Sequence, residues 1–198
     1  KNPVVLGSIS LDLFAVLLGG ATALLPAFAD ILGVGVWGLG ALRSAPAVGS
    51  LAMSVVLARR PPRKRVGPKM FTAVAAFGLA TIAFGLSRSF ALSFGALVVL
   101  GAADTISVVI RSSLVQLQTP DEMRGRVGAV NSLFIGTSNQ LGEFESGVTA
   151  SVFGLIPATV LGGLGTLVVA GLWMRLFPAL RQFDRFGTKA APAPGRPG

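Results

Sequence analysis

The sequence predicts an all-α membrane protein, with six transmembrane helices arranged as two inverted three-helix repeats. Three observations carry that prediction. Hydrophobic residues make up 52% of the 198 and charged residues only 13%, whereas a soluble domain carries about a quarter charged residues. The apolar residues fall into six runs of about 20 residues or more, the length a helix needs to cross a ~30 Å hydrocarbon core. The connections between runs are short, and basic residues crowd into alternate ones.

The six runs cover about 4–29, 37–58, 66–86, 90–117, 121–153 and 158–177. Barrel strands would instead give alternating segments of about 10 residues. Residues 1–187 therefore form one transmembrane unit. Residues 188–198, rich in Pro, Gly and Ala, are expected to be a disordered tail. Pro61 and Pro62 close the second run, because proline lacks an N–H and clashes with the preceding turn. At the start of the fifth, Thr119 is the expected N-cap, Pro120 fits the first helical position and Glu122 completes a capping-box spacing.

Orientation follows from the basic residues. Of the 17 Lys and Arg, 14 fall at the chain ends or in connections on one side, including Arg59, Arg60, Arg63, Lys64, Arg65, Lys69, Arg124 and Arg126. The opposite side has Arg88, and Arg43 and Arg111 lie within runs. By the positive-inside rule the basic side is cytoplasmic, and both chain ends with it. This accounts for the net charge of +9 without nucleic acid, since no aromatic stacking platform accompanies the basic residues. The expected location is a bacterial cytoplasmic (inner) membrane. The sequence starts at Lys1 without a signal-peptide pattern and is expected to be a piece of a longer protein.

Several function classes fall away. The sequence has no cysteine and no histidine, which removes disulfides, thiolate or imidazole metal sites and a histidine-based triad. It has no P-loop lysine and no nucleophile elbow, so neither an enzyme nor a cofactor is expected. The stretch GVGVWG (33–38) matches G-x-G-x-x-G. A dinucleotide site requires a strand before that motif, and here a membrane helix precedes it, so the stretch reads as a hairpin.

What remains is charge inside apolar runs, which costs roughly 2.5–3.5 kcal/mol or more each at a helix centre unless it is paired or hydrated. Runs 3 and 6 have no charge in their cores; runs 1, 2, 4 and 5 do. The simplest arrangement sets those four around a wet cavity, with runs 3 and 6 outside against lipid. Asp104, Ser107, Arg111 and Gln118 share one face of run 4. Asp104 and Arg111 are about 10 Å apart along the axis and can share a water or a substrate. In run 5, Ser132, Gly136, Gln140, Glu143, Gly147, Ser151 and Gly154 form one stripe, and Asn131, Ser138, Gly142, Glu145 and Thr149 another. Glu143 and Glu145 are about 200° apart, so one is expected to face the pathway and the other to pair with protein. Asp104, Glu143, Glu145 and Asp12 are thus the proton-coupling candidates, with Asp12 and Asp30 placed nearer helix ends, where water reaches. Arg43 and Arg111 are the substrate or ion-pair candidates.

An internal echo, VLLGGA at 16–21 and VVLGAA at 98–103, relates run 1 to run 4. Two units of three helices have opposite topology, a common transporter architecture.

On these residues the chain resembles the C-terminal half of a major facilitator superfamily transporter, in the efflux branch that contains the enterobactin exporters. The most specific stretch is TPDEMRGRVGAVNSLFIGTSNQLGEFESG, 119–147, which looks like the loop and eleventh helix of that branch. The basic turn 58–70 looks like a degenerate copy of the superfamily's loop motif, without the G-x-x-x-D that precedes the arginines in the full one. The resemblance implies a twelve-helix bundle, alternating access and proton-coupled export, with an N-terminal six-helix half supplied by upstream sequence or a partner chain. The expected mechanism has a carboxylate alternately binding and releasing a proton, with Arg111 modulating its charge. Arg124 and Arg126 sit at an inner gate with Asp121 and Glu122 as partners. The expected partners are a small-molecule substrate, protons and the lipid bilayer. The alternative is a non-transporting scaffold or sensor on the same fold.

Overall fold

A computed structural model describes residues 3–61, 65–119 and 121–181. Among these residues every element is helical and there is no strand. Helix α1 (Pro3–Leu18) is followed by a tighter turn, Ala21–Leu24, and by α2 (Leu25–Leu32). Then come α3 (Gly35–Arg59), α4 (Val66–Leu86), α5 (Phe90–Gln118), α6 (Arg124–Phe153), α7 (Leu155–Leu176) and the short α8 (Pro178–Arg181). The expected tail, 188–198, lies outside the described residues.

Among the described residues, five spans are long and apolar enough to cross a membrane: Leu6–Leu32, Gly35–Arg59, Val66–Leu86, Phe90–Leu117 and Leu155–Leu176. Helix α6 has the length, 30 residues, but not the composition. Asn131, Ser132, Thr137, Ser138, Asn139, Gln140, Glu143 and Glu145 dilute its apolar residues. The expected six apolar runs are therefore five apolar spans and one polar one.

The first run is not one helix. It breaks at Gly19 and Gly20, where the hydrogen bonding tightens. The Gly19 N–H donates to Ala15 and Val16 carbonyls at 3.0 and 3.2 Å, and the Ala23 N–H to the Gly20 carbonyl at 3.2 Å. Three backbones meet at this break. A Cβ on Gly20 would collide with the Gly142 carbonyl of α6, and one on Gly162 of α7 with the Leu18 carbonyl. One on Gly142 would come within 2.9 Å of the Val16 carbonyl. Small residues permit such approaches in helical membrane bundles. The Thr166 hydroxyl of α7 adds a bond to the Ala15 carbonyl at 3.2 Å.

Two further seams use the same device. Between α3 and α5, a Cβ on Gly49 would overlap the Val98 carbonyl and one on Gly101 the Pro46 carbonyl. The Ser50 hydroxyl donates to the Gly101 carbonyl at 3.1 Å. Pro46, inside α3, has no N–H to give to the turn before it. Between α4 and α7, a Cβ on Gly78 would lie 3.0 Å from the Gly163 carbonyl, and one on Gly163 2.8 Å from the Gly78 carbonyl.

Burial differs from the expected arrangement in one respect. Half of the α4 span is buried, the largest share of the five, against 17% for α3. Helix α4 packs between α5 and α7, so absence of charge in run 3 reflects contact with protein as well as with lipid. The exposed apolar side chains of α3 include Val36, Trp37, Val48, Leu51 and Val55.

Among the described residues the core has two apolar clusters. One joins Leu11, Met70, Phe71, Ile110, Leu114 and Leu180. The other joins Leu25, Phe28, Leu42, Phe84, Leu97 and Leu100, with the Phe28 and Phe84 ring centroids 4.4 Å apart. Helix α5 feeds both, and Asp104 falls between its two contributions.

Turn chemistry confirms one sequence expectation and overturns another. The G-x-G-x-x-G stretch is the α2–α3 hairpin. Gly33 closes α2 in the left-handed conformation at φ 63°, and the Val34 N–H bonds back to the Ala29 carbonyl at 3.2 Å, as in a Schellman motif. Thr119, in contrast, does not cap the following helix. Its hydroxyl donates backward to the Val115 carbonyl at 2.6 Å, closing α5. A single turn, Asp121–Met123, moves the start of α6 onward, and Met123 stands at its N-cap without a side-chain hydrogen bond.

The seams give a direct test. Gly101→Ala should lower the thermal stability of the detergent-solubilised full-length protein, since the added methyl falls on backbone that cannot yield. Gly95→Ala, in the same helix with open space around it, should be neutral or gain up to about 1 kcal/mol from reduced backbone freedom. Equal behaviour of the two variants would contradict the packing described.

Candidate functional site

The polar layer is organised by a buried ion pair. Arg111 of α5 places Nη1 2.9 Å from Asp12 Oδ2 of α1, with side chains 3% and 7% exposed. The Ser107 hydroxyl, one helical turn before Arg111, donates to Asp12 Oδ1 at 3.1 Å. Both oxygens of the carboxylate are thus engaged by one face of α5. The arrangement corrects one expectation. Asp12 is not water-accessible near a helix end; it is buried where α1 meets α5. Arg111, an ion-pair candidate in the sequence, has its partner on this neighbouring helix, while Asp104 lies two turns back on its own. A guanidinium extends sideways from its helix, and the nearest carboxylate in that direction belongs to α1.

Beside the pair lies a cavity of about 230 Å³. The α1 break forms one wall through Val16, Gly19 and Gly20, α3 contributes Pro46 and Ser50, and α5 contributes Leu100 and Gly101. Two carboxylates line it from different helices, Asp104 of α5 and Glu143 of α6. A small pocket of about 10 Å³ also joins Asp104 to Asp12 and Ser107. The backbone features that appear as packing exceptions, the Gly19–Gly20 break and Pro46, are thus the same ones that border the cavity.

The two glutamates of α6 separate as their spacing requires. Glu143 is exposed and borders the cavity. Glu145 is half-buried and accepts a hydrogen bond from the Thr149 hydroxyl at 2.9 Å. The two stripes follow suit. Ser132, Gly136, Gln140, Gly147 and Ser151 are exposed, while Ser138 and Gly142 are buried and Asn131 and Thr149 half-buried.

The remaining sequence-predicted residues lie apart from this centre. Arg43 is exposed on α3 and is not among the residues lining the cavity. Glu122 and Arg126 are exposed; Asp121 and Arg124 belong to the described backbone, but their side chains lie outside the described residues. Asn139 is a residue that stripe reasoning missed. It lines both the 230 Å³ cavity and a smaller pocket beside the ion pair. Its signal was available, since an amide inside a membrane helix needs a polar surrounding.

No protein-family model matches the chain. Enterobactin exporter EntS of Citrobacter koseri is 29% identical over 145 residues, 73% of this chain and 33% of the exporter. Proteins of the same name from two Escherichia coli strains are 23% identical over 182 residues, 92% of this chain and 44% of the exporter. The chain therefore spans less than half the length of the relatives it matches. These similarities agree with the resemblance to part of a major facilitator superfamily exporter. The five apolar spans mark the chain as an integral membrane protein.

The ion pair predicts an asymmetric response to substitution. Asp12→Leu or Arg111→Met alone should cost about 3–5 kcal/mol, because each leaves a buried charge uncompensated. The double variant Asp12→Leu/Arg111→Met should be more stable than either single one. Melting of the full-length protein in detergent measures both; additive losses would show that the charges are not coupled.

Proposed function

We propose that the chain is the C-terminal half of a proton-coupled exporter of the major facilitator superfamily, working by alternating access in a bacterial cytoplasmic membrane. The observation that carries the proposal is the cavity bordered by Asp104 and Glu143, one carboxylate from each of two helices. Carboxylates facing a shared space repel when both are ionised, and a bound proton removes the repulsion. Proton occupancy is thereby tied to the separation of α5 and α6. Asp104 and Glu143 are the coupling residues in this reading. Asp12 and Arg111 hold α1 against α5 while other parts move, and Glu145, bonded to Thr149, is structural.

The substrate is a small molecule such as a siderophore or a drug; enterobactin, named for the relatives, is the first to try. Arg43 meets substrate outside the cavity, while Arg124 and Arg126 with Asp121 and Glu122 form the cytoplasmic gate. The packing supports an inverted repeat. Helix α1 touches α6 and α7, and α5 touches α3 and α4, contacts that exchange when the helices of runs 1, 2 and 3 (α1, α3, α4) are swapped with those of runs 4, 5 and 6 (α5, α6, α7). The open faces of α3 and α6 would receive an N-terminal six-helix half from upstream sequence or a partner chain. A scaffold or sensor would have no use for two carboxylates at a shared cavity.

Efflux from cells expressing the full-length protein tests the reading. Asp104→Asn and Glu143→Gln should each abolish proton-driven export at normal expression, whereas Glu145→Gln should retain most of it. Unchanged efflux in the Asp104→Asn/Glu143→Gln double variant would refute coupling through this cavity. Orientation is tested separately. This chain has no cysteine, so single cysteines replacing Arg60 and Ser87 should label from opposite faces, Arg60 from the cytoplasm.

A further inference from the structure

The transport reading leaves one pair of buried atoms unused. Arg111 spends Nη1 on Asp12, yet its Nε is buried without a hydrogen-bond partner. On α6, Asn131 Oδ1 is buried and likewise without a partner. One is a donor only and the other an acceptor only. Both residues line the same small pocket, with Asp12, Ser138 and Asn139 as its other polar members. Leaving buried donors and acceptors unmatched is costly, and native structures rarely do it.

Size and charge define what fits. The pocket offers about 10 Å³ to the centre of a water-sized sphere, and one water needs about 10–15 Å³ on that measure with two to four polar partners. An anion is disfavoured, since Asp12 already balances Arg111 and the unpartnered Asn131 Oδ1 is an acceptor only. A cation is disfavoured by Arg111 itself. The ligand must be neutral, must accept from one side and must donate to the other.

We infer that Arg111 and Asn131 form a binding site for one ordered water, which accepts from Arg111 Nε–H and donates to Asn131 Oδ1, joining α5 to α6. The site does not depend on the transport reading. It assigns Asn131 a role as a positioning residue: through the water it orients the guanidinium that holds Asp12. It also makes α6 a party to the α1–α5 ion pair without a direct side-chain contact. Helix α6 can part from α5 by releasing a single water, with the ion pair left intact. Asn131, with Ile9, Leu13 and Phe134, also borders an apolar groove between α1 and α6, which gives the water a route to exchange.

A map of the full-length protein at a resolution that reveals waters tests the site directly. A peak within hydrogen-bond distance of both Arg111 Nε and Asn131 Oδ1 supports the inference. Direct contact between the two side chains, no peak, or a peak that strengthens when chloride is replaced by bromide would overturn it. A double-mutant cycle tests the bridge in solution. Asn131→Leu should lower the melting temperature in the parent and have less than half that effect in an Arg111→Lys background, where the charge remains but the Nε–H is gone. Equal effects in both backgrounds mean that Asn131 acts through packing alone, and the inference fails. If Arg111→Lys does not fold, the map decides.

Discussion

Asp12 and Arg111 hold each other in place because neither has an alternative. Two charges removed from water and set 2.9 Å apart are stable only as a pair, and each is far costlier alone than together. That mutual dependence fixes α1 against α5 at one register, with Ser107 completing the coordination of the carboxylate. The apolar clusters on either side then pack around a joint that cannot slide. The electrostatic constraint is therefore positional: it determines which residues of the two helices face each other, and with them the wall of the neighbouring cavity.

The glycine seams make that joint geometrically possible. A bilayer provides no hydrophobic drive between helices, so close packing and polar contacts must hold them. Here the backbones approach until a methyl group on Gly20, Gly101 or Gly163 would strike a carbonyl or side chain of the next helix. Gly20, at the break in α1, and Gly101 of α5 also border the cavity with Asp104 and Glu143. Tight packing and open space thus come from neighbouring positions on one chain segment. A helix that turns sharply in order to touch α6 and α7 leaves room on its other side.

Much of this was legible in the residues. The span 66–86 coincides with α4, and runs 2, 4, 5 and 6 begin and end within a few residues of α3, α5, α6 and α7, because apolar length and Pro/Gly punctuation are local properties. The division of labour between Glu143 and Glu145 followed from their angular separation, although which one faces inward depends on where neighbouring helices lie. Arg111 stood as a substrate or ion-pair candidate, but its partner was hidden for the same reason. A helical projection gives the direction a side chain leaves its own helix but not the identity of the helix opposite, so nothing in the spacing singled out Asp12. The break at Gly19 was hidden by apolarity, since VLLGGA reads as continuous helix until its three close neighbours are known. Thr119 failed as a cap because one extra turn separates it from α6, a shift that the spacing of Thr119 and Glu122 cannot reveal.

The polarity of α6 has a consequence for how the chain enters a membrane. Segments partition into the bilayer during synthesis largely according to their own apolarity, and α6 falls short of the other spans. Gly154 alone separates it from α7, which is one of the five apolar spans. The two helices can therefore insert as a hairpin, the second carrying the first across. Shortening or charging α7 would then strand α6 outside the bilayer. A defect placed far from Asp104 and Glu143 would in that way empty the cavity of one of its carboxylates.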